Sequence, residues 1–167
     1  MTVELNNESG ESCDEGRLAS LAEHALRELR IHPQAELSVL LVDEDTMSAY
    51  HERWMDEPGP TDVLSFPMDE LRPPSDDEEP PEGMLGDVVL CPVVAARQAA
   101  GAVQAGHAGG SLSDGGSSAR PTMQAELEYL LVHGILHLLG FDHATPSERS
   151  EMFGLTDALI AAWRPHS

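Results

Sequence analysis

One eleven-residue stretch near the end of the chain, 133–143, reads His-Gly-Ile-Leu-His-Leu-Leu-Gly-Phe-Asp-His. It lies at the end of an apolar segment, 123–139, whose leucines recur at helical spacing. His133 and His137 are four positions apart and therefore share one face of the predicted helix. Gly140 suits the left-handed conformation that ends helices, so we predict that the chain turns there and brings His143 back toward the pair.

Three neutral imidazoles with a vacant fourth position are typical of a catalytic rather than a structural zinc site. We therefore predict that His133, His137 and His143 bind one Zn²⁺ ion per chain, and we also count His133 among the catalytic residues. Three histidines suit nickel and copper as well, so the identity of the metal stays open. Asp142 is a further catalytic candidate that would orient a ligand or act on water, although a helix-capping role fits it equally well.

The histidine spacing also matches a zinc peptidase pattern in which Glu directly follows the first His and serves as the general base. In this chain that position is Gly134, which can do no acid–base chemistry. The pattern therefore indicates a metal-binding scaffold without the peptidase base.

Around this stretch, strand and helix patterns alternate early in the chain and helices dominate late. We predict an α+β fold: a single layered domain over 1–167, with a small mixed sheet of about four strands covered by helices and the metal-binding helix near the C-terminus. The near-continuous apolar run at 36–42 predicts a strand buried on both faces. The predicted strands are 1–6, 36–42, 63–66 and 84–91, and the predicted helices are 15–31, 43–54, 93–103, 123–139 and 146–163.

Local signals place several helix ends. Asp43 is a predicted N-cap, and either Ser12 or Asp14 would cap the first helix, which Pro33 cannot continue. Thr-Pro-Ser-Glu at 145–148 is a strong helix start, with Thr at the N-cap and Glu three residues later. Two segments are predicted to be flexible surface loops: about 69–83, rich in Pro, Asp and Glu, and about 106–121, rich in Gly and Ser.

The composition limits the number of domains, the cellular compartment and the partners that we expect. The chain has 167 residues, enough for one ordinary domain. There is no run of about 18 apolar residues and no signal-like N-terminus, so we expect no membrane partner. Two cysteines cannot form a disulfide framework, which favours a reducing cytoplasm. The net charge of −21, from 30 acidic and nine basic residues, argues by itself against a nucleic-acid partner.

The histidine stretch resembles the signature of the YbeY family, bacterial metal-dependent endoribonucleases that mature ribosomal RNA. Two further blocks resemble that family in the same order: Pro-Thr-Asp-Val-Leu-Ser-Phe-Pro at 60–67 and Leu-Gly-Asp-Val-Val-Leu at 85–90. The resemblance covers roughly 36–160, with gaps at the two predicted loops. It implies that the zinc-ligand histidines of the family correspond to His133, His137 and His143.

The resemblance implies a single-strand-specific endoribonuclease that acts in 16S rRNA 3′-end maturation and 70S ribosome quality control. The implied partners are single-stranded regions of ribosomal RNA, together with ribosomal proteins or the small subunit; the sequence does not indicate an oligomeric state. Two alternatives remain at this point. One is a zinc hydrolase of another substrate class, such as peptides, and the other is a ribosome-assembly factor with a structural metal.

The family commonly has an arginine a few residues before the 60–67 block, where this chain has Met55. Arg53 lies two residues upstream, about half a helical turn away, and is our candidate for that catalytic role. Arg97 is a further candidate, but we interpret it as a surface charge on its helix. Ser65 or Thr61 would donate hydrogen bonds to substrate, although strand and turn packing explains them equally well.

The large negative charge does not exclude RNA once its distribution is considered. Much of it lies in 4–15 and 69–82, which contain no motif residue. Net charge governs solubility and long-range steering rather than the local field at a site. We therefore predict weak unaided affinity for RNA, with targeting that depends on protein partners.

Overall fold

The computed structural model describes residues 2–32, 34–55, 61–69, 77, 83–105, 122–141 and 145–163. The predicted loops, about 69–83 and about 106–121, fall outside these residues except for Asp69, Asp77 and Gly83. The elements along the chain are β1 (Thr2–Asn7), α1 (Glu15–Glu28), β2 (Glu36–Leu41), α2 (Glu44–Met55), β3 (Val63–Pro67), β4 (Met84–Leu90), α3 (Pro92–Ala105), α4 (Met123–Leu138) and α5 (Pro146–Trp163).

The strands form one mixed sheet in the order β1-β2-β4-β3, which confirms the predicted α+β class. β1, β2 and β4 are parallel to one another, and β3 is antiparallel to β4. The parallel pairs need crossover connections, and α1 supplies the first of them. Among the described residues, no helix is both long and apolar enough to cross a lipid bilayer.

The two faces of the sheet are covered unequally. On one face, α1, α4 and α5 enclose the main core with side chains such as Leu37 and Leu41 of β2. The other face carries a smaller cluster around Met47 of α2 and Val89 of β4. The prediction that β2 is buried on both faces is therefore half right, because Ser38 and Leu40 remain only half-buried.

The capping predictions are largely confirmed. Asp43 accepts a hydrogen bond from the backbone N–H of Thr46 at 2.7 Å. Thr145 and Glu148 form the reciprocal capping box, each side chain accepting from the other's backbone N–H at 3.1 Å. Gly140 has a φ of 95°, as expected for the residue that ends α4.

The first helix ends earlier than predicted. Asp14, rather than Ser12, caps its start by accepting from the backbone N–H of Arg17. α1 ends at Glu28 because Arg30 adopts a φ of 58°, which lets the N–H of Ile31 donate to the carbonyl of Leu26 at 3.0 Å. This Schellman arrangement, formed without glycine, stops the helix before Pro33 is reached.

The block at 85–90 holds β3 in place. A side chain at Gly86, which has a φ of 133°, would overlap the backbone carbonyl oxygen of Phe66, so glycine is required there. Asp87 lies within β4, paired with Ser38 of β2 on one side and Phe66 of β3 on the other.

A second close approach positions α4. A Cβ added at Gly134 would lie 2.8 Å from Cγ1 of Val88 and 3.2 Å from both Cγ2 of Val63 and Oγ of Ser65. The same Ser65 hydroxyl donates to the carbonyl of Gly134 at 2.9 Å. The residue that directly follows His133 is therefore glycine, because the helix packs directly onto the sheet there.

We expect Gly134→Ala to lower the free energy of unfolding by about 1–2 kcal/mol, because overpacking against buried Val88 outweighs the gain in helix propensity. Gly154→Ala is the matched control: Gly154 lies in α5 with no neighbour within 4 Å of an added Cβ. That variant should be stabilised by up to about 1 kcal/mol. Urea unfolding of both variants measures the difference, and stabilisation of both would contradict the close approach at Gly134.

Candidate active site

A cleft of about 590 Å³ lies between α4 and β3, with Phe153 of α5 at its wall. α4 and β3 are held side by side by the contact at Gly134, so the cleft follows from that packing. Its polar lining consists of Asp62, Ser65, Glu126, Tyr129, His133 and His137.

The structure brings the first two predicted metal ligands together. The ring centroids of His133 and His137 are 5.1 Å apart, with an angle of 78° between the ring planes. Both rings face the cleft and both side chains are half-buried. Two neutral imidazoles at this separation fit two ligands of one metal ion, and imidazole is a ligand that zinc prefers.

The rest of the predicted metal site stays a prediction. His143 and Asp142 lie outside the described residues, which stop at 141 and resume at 145. Within the part of the chain that the structure describes, no group of three His, Cys, Asp or Glu side chains is arranged to bind a metal ion. A complete three-ligand site would therefore need a ligand from outside the described residues, and His143 remains our prediction for it.

Two aromatic rings fix the orientation of the His133 imidazole. Tyr129 stacks on it with centroids 6.0 Å apart and planes 18° apart, and Phe153 lies at 5.7 Å with an angle of 30°. Burial, followed by the carboxylates of Asp157 and Glu126, raises the pKa of Tyr129 to about 12. The phenol therefore remains neutral at physiological pH and serves as a packing surface for the imidazole.

The far end of the cleft is acidic. Asp62 accepts hydrogen bonds from the backbone N–H of Val63 at 2.8 Å and from Nε2 of Gln98 at 3.0 Å. Glu126 lines the same end. Burial, and then the charge of Asp62, raise the pKa of the Glu126 carboxyl.

The candidate substrate donors have partners within the protein. Ser65 donates to the carbonyl of Gly134, and the hydroxyl of Thr61 lies 3.4 Å from Oδ1 of Asp62. These contacts support a role for Ser65 and Thr61 in strand and turn packing rather than in substrate binding.

The candidate arginines lie away from the cleft. Arg53 is exposed, with its guanidinium 5.3 Å from the centre of the Trp54 ring, and it is not among the cleft-lining residues. Arg97 forms an exposed ion pair with Glu44 at 3.1 Å, as suits a surface charge. No arginine lines the described part of the cleft, and the chain contains no lysine.

Sequence reasoning missed Tyr129, Glu126, Asp62 and Phe153. A signal was available for the two on α4, because Tyr129 and Glu126 precede His133 by four and seven positions and so share its helical face. Asp62 lies inside the 60–67 block. Phe153 reaches the cleft from α5 through packing that no local pattern predicts.

The raised pKa of Glu126 makes stability depend on pH. The stabilisation from the neutral acid is complete below the ordinary glutamate pKa of about 4.3 and is lost as the pH rises through the raised value. Glu126→Gln should therefore raise Tm at about pH 8 and leave it nearly unchanged at about pH 4.

Thermal unfolding of this variant at both pH values checks the expectation. Glu23→Gln, which removes an exposed carboxylate of α1, is the control for general relief of charge repulsion. A Tm at about pH 8 that rises no more than in the control would contradict the raised pKa that burial and Asp62 give the Glu126 carboxyl.

Comparison with known proteins identifies the family of this chain. The model of the family described as Endoribonuclease YbeY matches residues 4–164. Proteins named Endoribonuclease YbeY from Cutibacterium acnes and Thermobifida fusca are each 56% identical over 164 residues, covering 98% of this chain and 95% of the relative. The relative from Acidothermus cellulolyticus is 57% identical over 170 residues and covers 98% and 92%.

A solved structure supports the fold. The solution structure of TM1509 from Thermotoga maritima matches with a TM-score of 0.54 and 20% identity, covering 98% of this chain and 93% of that one. At this identity the likeness bears on the fold alone. The peptide-hydrolase and assembly-factor alternatives find no support in these comparisons. The family model and the relatives together show that this chain belongs to the endoribonuclease YbeY family.

Proposed function

We propose that this chain is a cytoplasmic, metal-dependent endoribonuclease that cleaves single-stranded regions of ribosomal RNA. The steps that we propose for it are 16S rRNA 3′-end maturation and 70S ribosome quality control, performed by one domain over 1–167. The observation that carries the proposal is the pair His133 and His137, 5.1 Å apart in the cleft of a chain from an endoribonuclease family.

We infer that His133, His137 and His143 hold one Zn²⁺ ion. An ion held by three neutral imidazoles supplies charge neutralisation at a phosphate and activation of water. The donor set fits zinc, although nickel and copper share it. The protein's contribution is to hold the imidazoles still, through Tyr129 and Phe153 around His133 and through the anchoring of α4 at Gly134.

The acidic end of the cleft directs the substrate. Glu126 precedes His133 by seven residues, which is about 10 Å along the helix and beyond hydrogen-bond reach of a group held at the histidines. Carboxylates at that end repel phosphate, so the scissile phosphate is directed to the histidine end. Asp62 and Glu126 are left to accept hydrogen bonds from neighbouring parts of the RNA.

The other candidate residues, Asp142 and Arg53, have limited roles in this proposal. Asp142 is proposed to orient a metal ligand or to act on water. Arg53 is proposed to contact the RNA backbone, and its exposed position on α2 suits flanking nucleotides better than the phosphate at the histidines. The net charge of −21 implies weak binding to naked RNA, so we propose that ribosomal proteins or the small subunit bring the enzyme to its substrate.

His137→Ala should lower kcat/KM for a single-stranded oligoribonucleotide by at least about 100-fold and reduce bound metal, because it removes a direct ligand. Metal analysis and cleavage assays measure both effects, and the same sequence in a duplex should resist cleavage. His24→Ala on α1, away from the cleft, is the matched control. Cleavage by His137→Ala at the rate of the parent protein would refute the proposal.

A further inference from the structure

A second groove, which the cleft does not use, lies on the less covered face of the sheet. Its volume is about 550 Å³. We call it the aromatic groove and define it by the aromatic residues Tyr50, Trp54 and Phe66 together with the polar residues Asn6, Ser38 and Asp87. It lies where β2 and β4 are left half-covered by α2.

Trp54 is the prominent feature of this groove. Its side chain is 58% exposed, whereas the other tryptophan, Trp163, is 3% exposed in the main core. The Trp54 ring contacts the Phe66 ring edge-on, with centroids 6.1 Å apart, and the Arg53 guanidinium lies 5.3 Å from its centre. A large aromatic ring held in place while still exposed loses little entropy when a ligand binds to it.

We propose that the aromatic groove binds unpaired bases of the RNA substrate, with Trp54 as the stacking platform. This inference rests on the proposed endoribonuclease function and adds a binding site for the nucleotides that flank the cleaved bond. Aromatic side chains on an open sheet face are a general means of binding single-stranded RNA, because every base offers a π-face.

The charges of the groove suit a nucleotide. Arg53 forms no ion pair with any described carboxylate, unlike Arg17 with Glu128 and Arg97 with Glu44, so it can meet a phosphate. Asp87 offers oxygens that accept hydrogen bonds from the amino and imino groups of bases. An apolar peptide would instead cover the Asp87 carboxylate without giving it a partner, which is costly.

The groove and the cleft lie on opposite faces of one strand, β3. Successive side chains of β3 point to opposite faces, so Ser65 and Pro67 line the cleft while Phe66 lines the aromatic groove. β3 is the last strand in the order β1-β2-β4-β3. A single strand that crosses the outer edge of β3 reaches both sites.

This arrangement gives a physical reason for single-strand selectivity. Bases in a duplex are stacked on one another and paired, so they present no free face to Trp54. An unpaired strand places its phosphate at the histidines and its neighbouring bases on the aromatic groove.

The test uses the intrinsic fluorescence of the full-length, metal-loaded protein and a single-stranded 2′-O-methyl oligoribonucleotide that resists cleavage. A base stacked on exposed Trp54 should quench its emission, while buried Trp163 contributes a constant background. Trp54→Ala should weaken binding, measured independently by calorimetry, by about 5- to 150-fold. Trp54→Phe should retain most of the affinity, because a ring remains available for stacking.

Met68→Ala is the matched control, because Met68 is 59% exposed and lies outside the aromatic groove. It should bind like the parent protein. With a cleavable single-stranded RNA, Trp54→Ala should raise KM and leave kcat nearly unchanged. His137→Ala should keep Trp54-dependent quenching, so a failure of catalysis is distinguishable from a failure of this site.

Three results would overturn the proposal: parental affinity in Trp54→Ala, equal quenching by a duplex, or loss of self-association in Trp54→Ala without loss of RNA binding. The last result would identify the groove as a contact between two copies of the chain. Circular dichroism of each variant shows that the sheet is intact, and Trp54→Phe keeps the test informative if Trp54→Ala fails to fold.

Discussion

Helix α4 lies so close to the sheet at Gly134 that an added Cβ would be only 2.8 Å from Cγ1 of Val88, and the site depends on this contact. The Ser65 hydroxyl donates to the Gly134 carbonyl at 2.9 Å, joining α4 to the edge strand that forms the opposite wall of the cleft. His133 and His137 flank this contact and face the cleft. The Cβ of a glutamate at 134, where zinc peptidases have their general base, would be too close to Val88 and Val63, so the packing at this position disfavours that residue.

The electrostatics of the molecule are consistent with an enzyme that finds RNA through partners. The chain carries a net charge of −21, and the described cleft has carboxylates at one end and imidazoles at the other. Positive charge at the cleft would come from the metal ion that we propose for the histidines, and this charge would confine phosphate binding to that end. Stacking on Trp54 does not depend on net charge, and this makes it a suitable source of RNA affinity in an acidic protein.

The sequence predicted the parts of the structure that depend on local chemistry. The capping box at Thr145 and Glu148, the turn at Gly140 and the shared face of His133 and His137 follow from rules that act within a few residues. The end of α1 was misplaced because Arg30 adopts a left-handed conformation that its residue type does not favour.

Features that depend on tertiary packing could not be predicted from the sequence. The role of Gly134 requires knowledge of Val88, which lies on a strand far away in the chain. Phe153 reaches His133 only because α5 folds back on α4. The half-open face of β2 depends on how little of the sheet α2 covers, so an apolar run alone could not reveal it.

X-ray absorption spectroscopy of the metal-loaded protein would show whether three histidines hold a metal ion. With zinc bound, we expect three imidazole nitrogens at about 2.0–2.1 Å, completed by an oxygen ligand. The spectrum of His143→Ala should show one imidazole fewer. A site with two imidazoles or with thiolate ligands, or a spectrum unchanged by His143→Ala, would contradict the account.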